Sequence, residues 1–269
     1  MSTPLRSTNT VVSDIKSNFD GLADNYSRNR PQYPQGLLRE LNSLCKEGSL
    51  RVVDLASGTG ISTRAVAKAL GARAEIIGVE PSEDMRRRAT DDTPKDAPIC
   101  YLDGTAEALA FDDASLDLIF VGQALHWFDR PIFYSEAGRV LKPNGVIAIA
   151  RNTRNWRKSN FVSEYEGFHE KYLPGFSRGE RELDAAAECA SLDWVGQTAT
   201  FEEEWIRPMK LASFLGMAQS SSKVTRALRN AGWDNGIAEL TVIAERHMDG
   251  DGFLVLPYLS ELVCAVKRT

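Results

Sequence analysis

The stretch Val52-Val53-Asp54-Leu55-Ala56-Ser57-Gly58-Thr59-Gly60 decides how the rest of the chain is read. An apolar run of strand length ends in a turn with two glycines, and a helical pattern carrying Ala65, Val66, Ala69 and Leu70 follows. Glycine has no Cβ, so such a turn brings bare backbone close to a ligand. A second apolar run, Ala74 to Val79, stops at Glu80, 20 residues beyond Gly60. A carboxylate at that strand end can accept hydrogen bonds from a ribose diol. Turn and carboxylate together point to a cofactor that contains adenosine.

Outward from this unit the same alternation repeats. Ser82 is placed to cap a helix whose first turn holds Glu83 and Asp84, with Met85 and Ala89 facing inward. Short strands are expected at Ile99–Leu102 and Leu116–Gly122. Asp129 caps a further helix with Phe133, Ala137, Val140 and Leu141 on one face, and the turn Lys142-Pro143-Asn144-Gly145 leads into a fifth strand, Val146–Ala150. Strands separated by helices of this length imply right-handed crossovers and a parallel sheet, with ligands outside the carboxyl ends of the strands. Past residue 151 the pattern changes to helices near 160–172, 182–190, 211–219, 223–230 and 236–247, with strands around 198–206 and 261–267. The expected fold is α/β, a Rossmann-like doubly wound sheet of seven mostly parallel strands, with helical insertions in the C-terminal half forming a substrate cap. Residues 1–17 read as a flexible arm, 18–150 as the cofactor-binding core with an N-terminal lid, and 151–269 as closing strands of the same sheet with the cap insertions.

Composition narrows the function classes. With 43% apolar and 26% charged residues the 269-residue chain is ordinary for a globular protein. A formal charge of -5 works against a broad nucleic-acid footprint, which needs clustered cations to displace counterions. Arg86 to Arg88 and Arg151 to Lys158 read as solvated faces. No apolar stretch approaches the roughly 20 residues that span a bilayer, and Met1 to Asp14 lacks the apolar segment of a secretory signal, so no membrane partner and a cytoplasmic location are expected. Cys45, Cys100, Cys189 and Cys264 are dispersed, as are His126, His169 and His247, so no metal site is expected.

The phosphate question separates two cofactors. A dinucleotide turn wants a third glycine so that helix amides meet a pyrophosphate, and Thr63 stands there. Asp54 suits the ammonium of a methionyl group and would repel phosphates. S-adenosylmethionine is therefore expected, with an NAD(P)-dependent reductase on the same fold as one alternative and a non-catalytic cofactor-binding scaffold as the other.

Six motifs occur in order over residues 19–150: Phe19 to Tyr26 with Arg30-Pro31-Gln32-Tyr33-Pro34, Asp54 to Gly60, Glu80 with Met85, Gly104 to Leu109, Gln123 to Asp129, and Val140 to Gly145. In these the chain resembles the class I methyltransferase superfamily, in the small-molecule branch that includes trans-aconitate and ubiquinone-pathway methyltransferases. The resemblance implies that Gly58 and Gly60, with Asp54 and Ala56, line the methionyl part, that Glu80 holds the ribose hydroxyls, and that Pro81 and Met85 lie near the adenine. Thr105, Ala106 and Glu107 would approach the adenine edge, Gln123 would face the methionyl group, and Tyr26 and Arg30 would close over the cofactor. The family often has Gly where Ala56 stands and Asp where Thr105 stands. Methylation of a small-molecule acceptor, on an oxygen of a carboxylate or hydroxyl, is the implied reaction.

His126 admits two readings, a proton acceptor where cofactor and acceptor meet or a packing residue of the pocket rim beside Trp127 and Phe128. Trp127, Trp156, Phe161, Phe214 and Met217 are candidate walls of the acceptor pocket, each with a core role as the plainer alternative. Arg151 and Arg154, just past the fifth strand, would suit an anionic acceptor.

Overall fold

The computed structural model describes residues 30–178 and 184–269. Its centre is a seven-stranded sheet in the order β3-β2-β1-β4-β5-β7-β6, built from β1 (Leu50–Leu55), β2 (Ala74–Val79), β3 (Ile99–Leu102), β4 (Leu116–Gly122), β5 (Leu141–Arg154), β6 (Val195–Met209) and β7 (Leu254–Lys267). The first five strands pair in parallel, and β7 runs antiparallel to both β5 and β6. β1, β2 and β4 are buried along almost their whole length, as strands covered on both faces must be. From β1 the chain builds outward to β2 and β3, then returns to place β4 on the other side of β1. That reversal opens a crevice at the carboxyl ends of β1 and β4.

Alternate residues of these strands feed two separate cores. Val53, Leu55, Ile119 and Val121 pack with Phe133, Ala137 and Val140 of α4 (Arg130–Val140). Val52, Leu118 and Phe120 pack with Leu37 and Leu41 of α1 (Gln35–Leu44) and Val66 and Leu70 of α2 (Ile61–Leu70). Ser82 caps α3 (Glu83–Asp91) by accepting from Met85 N, and Asp129 caps α4 by accepting from Ile132 N, each at 3.4 Å. The short helix α6 (Ala185–Ala190) joins the first core through Ala185 and Cys189. Residues 1–17, read as an arm, lie outside the described residues, as do the first positions of the helix expected from 182.

A third core belongs to the cap. It gathers α5 (Asn160–Tyr172), α7 (Leu211–Gln219), α8 (Ser222–Ala231) and α9 (Trp233–Arg246) onto Met209, Leu254, Leu256 and Tyr258 of the antiparallel β6–β7 pair, whose strands are joined through α7, α8 and α9. The β6–β7 pair is longer than its sequence pattern suggests, running from Val195↔Lys267 to Met209↔Leu254. β5 is longer too, and its last pair with β7 is Arg154↔Tyr258. Pro257 falls one residue past that pair, where β7 has a single strand neighbour, so it costs the sheet little.

Phe214 is fully buried and meets Phe161 edge to face with ring centroids 5.1 Å apart. Phe214→Ala is therefore expected to destabilise the protein by about 3–5 kcal/mol. Urea unfolding measures this, and a loss below about 1 kcal/mol would show that the cap has no core of its own.

Candidate functional site

The chain leaves β1 through backbone that L-residues avoid. Ala56, Gly58 and Gly60 all have positive φ, 51°, 55° and 76°. Left-handed backbone places an ordinary Cβ against the next carbonyl oxygen, which costs roughly 1–2 kcal/mol, so Ala56 carries strain that a glycine would not. The two glycines are needed for different reasons. A Cβ on Gly60 would run into the Tyr101 hydroxyl and Arg64, whereas a Cβ on Gly58 would meet nothing within 4 Å and would project into open space.

Glu80 fixes this turn. It is 6% exposed at the tip of β2; one carboxylate oxygen accepts from Gly58 N at 3.0 Å and the other from Ser82 N at 2.9 Å. Burial pushes its pKa up, against the backbone donors of Ser82 and Gly58 and the charge of Arg86. Each oxygen keeps a lone pair beyond the one used. Asp54, at the end of β1, is fully buried, and its Oδ2 accepts from Ser62 Oγ at 2.7 Å and Thr63 Oγ1 at 2.6 Å. Burial raises its pKa to about 7, despite the opposing hydrogen bonds of Thr63 and Ser62 and with a further upward push from Glu80. Thr63, at the position of the missing third glycine, is thus spent on holding Asp54. Asp54 Oδ1, Ser57 Oγ and Thr59 Oγ1 are buried without a hydrogen-bond partner among the described residues.

Across the crevice, β4 ends at Gly122 and Gln123. Gln123 also has positive φ, 60°, and its Nε2 donates to Asn152 O at 3.0 Å. A cleft runs from Ala56–Thr59 past Ile61, Ser62, Gly122 and Gln123 to a second wall made by Arg30, Pro31, Tyr33, Asn152, Arg154, Met217, Ser221 and Tyr258.

The expected site residues divide accordingly. Arg30, Ala56, Gly58, Gln123 and Met217 line the cleft. Asp54, Gly60 and Glu80 stand directly behind its floor. Pro81 and Thr105 are half-buried, Met85 and Ala106 are buried, Glu107 accepts from Asp129 N at 3.0 Å, and none of these residues expected near the adenine lines the cleft. Tyr26 lies outside the described residues. The aromatic candidates for the acceptor wall do not line the cleft. Phe161 and Phe214 face the cap's own core, because their helices turn that face inward; Trp156 packs on the same core, with the guanidinium carbons of Arg157 and Arg178 4.5 and 5.1 Å from its ring centroid. His126 is exposed, its ring 4.9 Å from that of Trp127, which packs on the first sheet core. Asn152, Ser221 and Tyr258 line the cleft without having been singled out. The trace of Asn152 and Tyr258 in the sequence is the strand alternation of β5 and β7, which polar residues and Pro257 interrupt, and Ser221 precedes the helix Ser222–Ala231.

Comparison with known proteins adds an independent observation. Residues 53–149 match the family described as a methyltransferase domain. An uncharacterized methyltransferase of Mycobacterium tuberculosis is 33% identical over 145 residues, 54% of this chain and 56% of that protein, so the chain spans little more than half the length of this relative. A demethylmenaquinone methyltransferase of Staphylococcus haemolyticus is 27% identical over 77% of this chain and 88% of its own length. In fold, phosphoethanolamine N-methyltransferase 2 of Haemonchus contortus, solved with S-adenosyl-L-methionine, superimposes with a TM-score of 0.55 at 17% identity, over 100% of this chain and 62% of that one. The family match falls on the strands that carry the left-handed turn, Glu80 and Gln123, so it is in these residues that the chain is similar to known methyltransferases.

Proposed function

We propose that the protein transfers a methyl group from S-adenosylmethionine to an oxygen of a small-molecule acceptor, a carboxylate or hydroxyl, by direct displacement. The observation that carries this reading is the turn at the tip of β1. Gly58 offers a bare, left-handed backbone face where a Cβ would meet only open space, and three buried polar atoms around it lack partners among the described residues. A buried polar atom without a partner costs about 1–3 kcal/mol, so atoms of this kind suit a site made to receive a polar ligand.

When bound, S-adenosylmethionine supplies a methyl group made electrophilic by its sulfonium. The protein's own residues bind, orient and desolvate. Glu80, already fixed by two backbone donors, offers its remaining lone pairs to a ribose diol. Asp54 offers a carboxylate beside the turn to an ammonium, and Arg30 a forked cation to a carboxylate. Gln123 and Asn152 present amide groups at the far side of the turn, and Met217, Ser221 and Tyr258 bring the cap over it to exclude water. Displacement at a sulfonium by an ionised oxygen gains mainly from orientation, so His126, exposed and outside the cleft, is given no proton-transfer role.

Two measurements test this. Gly58→Ala adds a Cβ in the left-handed region, pointing into the cleft. It is expected to weaken S-adenosylhomocysteine binding in isothermal titration by more than about tenfold while lowering stability by only about 1–2 kcal/mol; unchanged affinity would refute the assignment of this turn to the cofactor.

The second uses pH. Because the folded pKa of Asp54, about 7, lies above the usual 3.8, the native state holds a proton that the unfolded chain releases, and this group makes stability fall as pH rises from about 4 to about 7. An ammonium-bearing ligand favours the ionised form. Affinity for S-adenosylhomocysteine is therefore expected to rise several-fold between about pH 6 and pH 8, and Asp54→Asn is expected to flatten the rise. An equal slope in wild type and Asp54→Asn would remove Asp54 from the ammonium site.

A further inference from the structure

The second wall of the cleft carries a charge that the cofactor reading leaves unused. Arg30 and Arg154 both line the cleft, and no Asp or Glu side chain among the described residues does. In a chain of net charge -5 this is a local reversal of sign. Arg30 Nη2 donates to Ser220 O at 3.2 Å, and the methyl-transfer reading gives Arg30 the methionyl carboxylate. Arg154 has no such assignment.

Arg154 is the last residue of β5, and its side chain is held from behind. Nε and Nη2 both donate to one oxygen of Glu166, Oε1, at 3.3 and 3.1 Å, and the guanidinium carbon sits 4.9 Å from the centroid of the Tyr165 ring. Glu166 is 2% exposed, and its other oxygen lies 3.4 Å from His169 Nδ1. A planar guanidinium can take a carboxylate along each of two edges. Here a single carboxylate oxygen takes one edge, Tyr165 takes one face, and Nη1 donates to no acceptor among the described residues. A half-buried cation satisfied on one side only gains from a second oxyanion more than a fully exposed one would.

We propose that Arg154 is a specificity residue that reads an anionic oxygen group, carboxylate or phosphate, on the methyl acceptor, and that Glu166 is the positioning residue that turns its fork toward the cleft. This rests on the methyl-transfer reading, since the cofactor must fill the Gly58 side for the Arg154 side to be left to the acceptor. Asn152 and Tyr258 flank Arg154 on the same wall, where Tyr258 Oη donates to Met217 Sδ at 3.5 Å and Asn152 Nδ2 to Gln32 O at 3.3 Å.

The test is isothermal titration of the full chain loaded with S-adenosylhomocysteine. The probes are glutarate and glycerol 3-phosphate as carboxylate and phosphate, with glutaramide and glycerol as their neutral counterparts. Wild type is expected to bind at least one of the two anions about tenfold or more tighter than its neutral counterpart, with a preference that weakens as salt is added; which anion wins names the group. Arg154→Met is expected to abolish the preference, Arg154→Lys to retain a reduced part of it, and Glu166→Gln to lower it several-fold. A purely structural Arg154 would lower the melting temperature in Arg154→Met but leave the preference for anions intact, and that result overturns the proposal. If Arg154→Met fails to fold, Arg154→Lys decides, because an undiminished preference there overturns it equally. Failure of wild type to prefer either anion, with S-adenosylhomocysteine bound, also overturns it. Failure to bind S-adenosylhomocysteine at all would instead overturn the methyltransferase reading beneath it.

Discussion

One carboxylate holds the backbone on which the cleft is built. Glu80 ties the N–H of Gly58, at the tip of β1, to the N–H of Ser82, at the start of α3. The turn it braces contains three positive-φ residues within five positions, one of them an alanine. Left-handed backbone in a non-glycine residue persists only where its surroundings leave it no alternative. Here those surroundings are two parallel strands, paired from Leu50↔Ala74 to Leu55↔Val79, whose ends fix where the turn must start and where its brace must stand. The sheet therefore sets the position of the turn, and the turn sets the bare backbone face of Gly58.

Asp54 adds a constraint of the opposite kind. A fully buried carboxylate with two hydroxyl donors and one oxygen left over is costly to ionise, which is why its pKa rises toward neutrality. A site that receives a cation lowers that cost when the ligand arrives. Ser62 and Thr63 belong to the first turn of α2, so the same helix start that closes the glycine turn also orients Asp54.

How much of this was legible in the sequence follows from where each residue sits. β1, β2 and β4 read clearly because strands buried on both faces are nearly unbroken apolar runs, and the turn residues Gly58, Gly60 and Glu80 sit at the ends of β1 and β2. The C-terminal half read poorly for a physical reason. β6 is an edge strand with alternating exposure, and its run Glu202-Glu203-Glu204 faces water on alternate positions. The far end of β7 contains Pro257, acceptable only because β5 has already ended. With those strands read too short, Tyr258 and Asn152 had no reason to be placed on a cleft wall. The aromatic side chains misled in the other direction: Phe161 and Phe214 are conspicuous in composition, but helical packing buries large apolar groups in the cap core before any are left for a pocket.

The cap and the sheet consequently divide the cleft between them. The glycine turn, Gln123 and the buried acids come from strands β1, β2 and β4, whose packing belongs to the two sheet cores. Met217, Ser221 and Tyr258 come from elements of the third core, a separate cluster carried on the extended β6–β7 pair. Substitutions inside that cluster can change the second wall without disturbing Glu80 or the turn, because energetic coupling between separately packed groups is small. Arg154 stands at the join. It is the last residue of β5, it pairs in register with Tyr258 of β7, and it is gripped by Glu166 of α5. Through it the packing of α5 reaches the wall of the cleft, so a shift of α5 against β5 would re-aim its charge and leave the turn at β1 where it was.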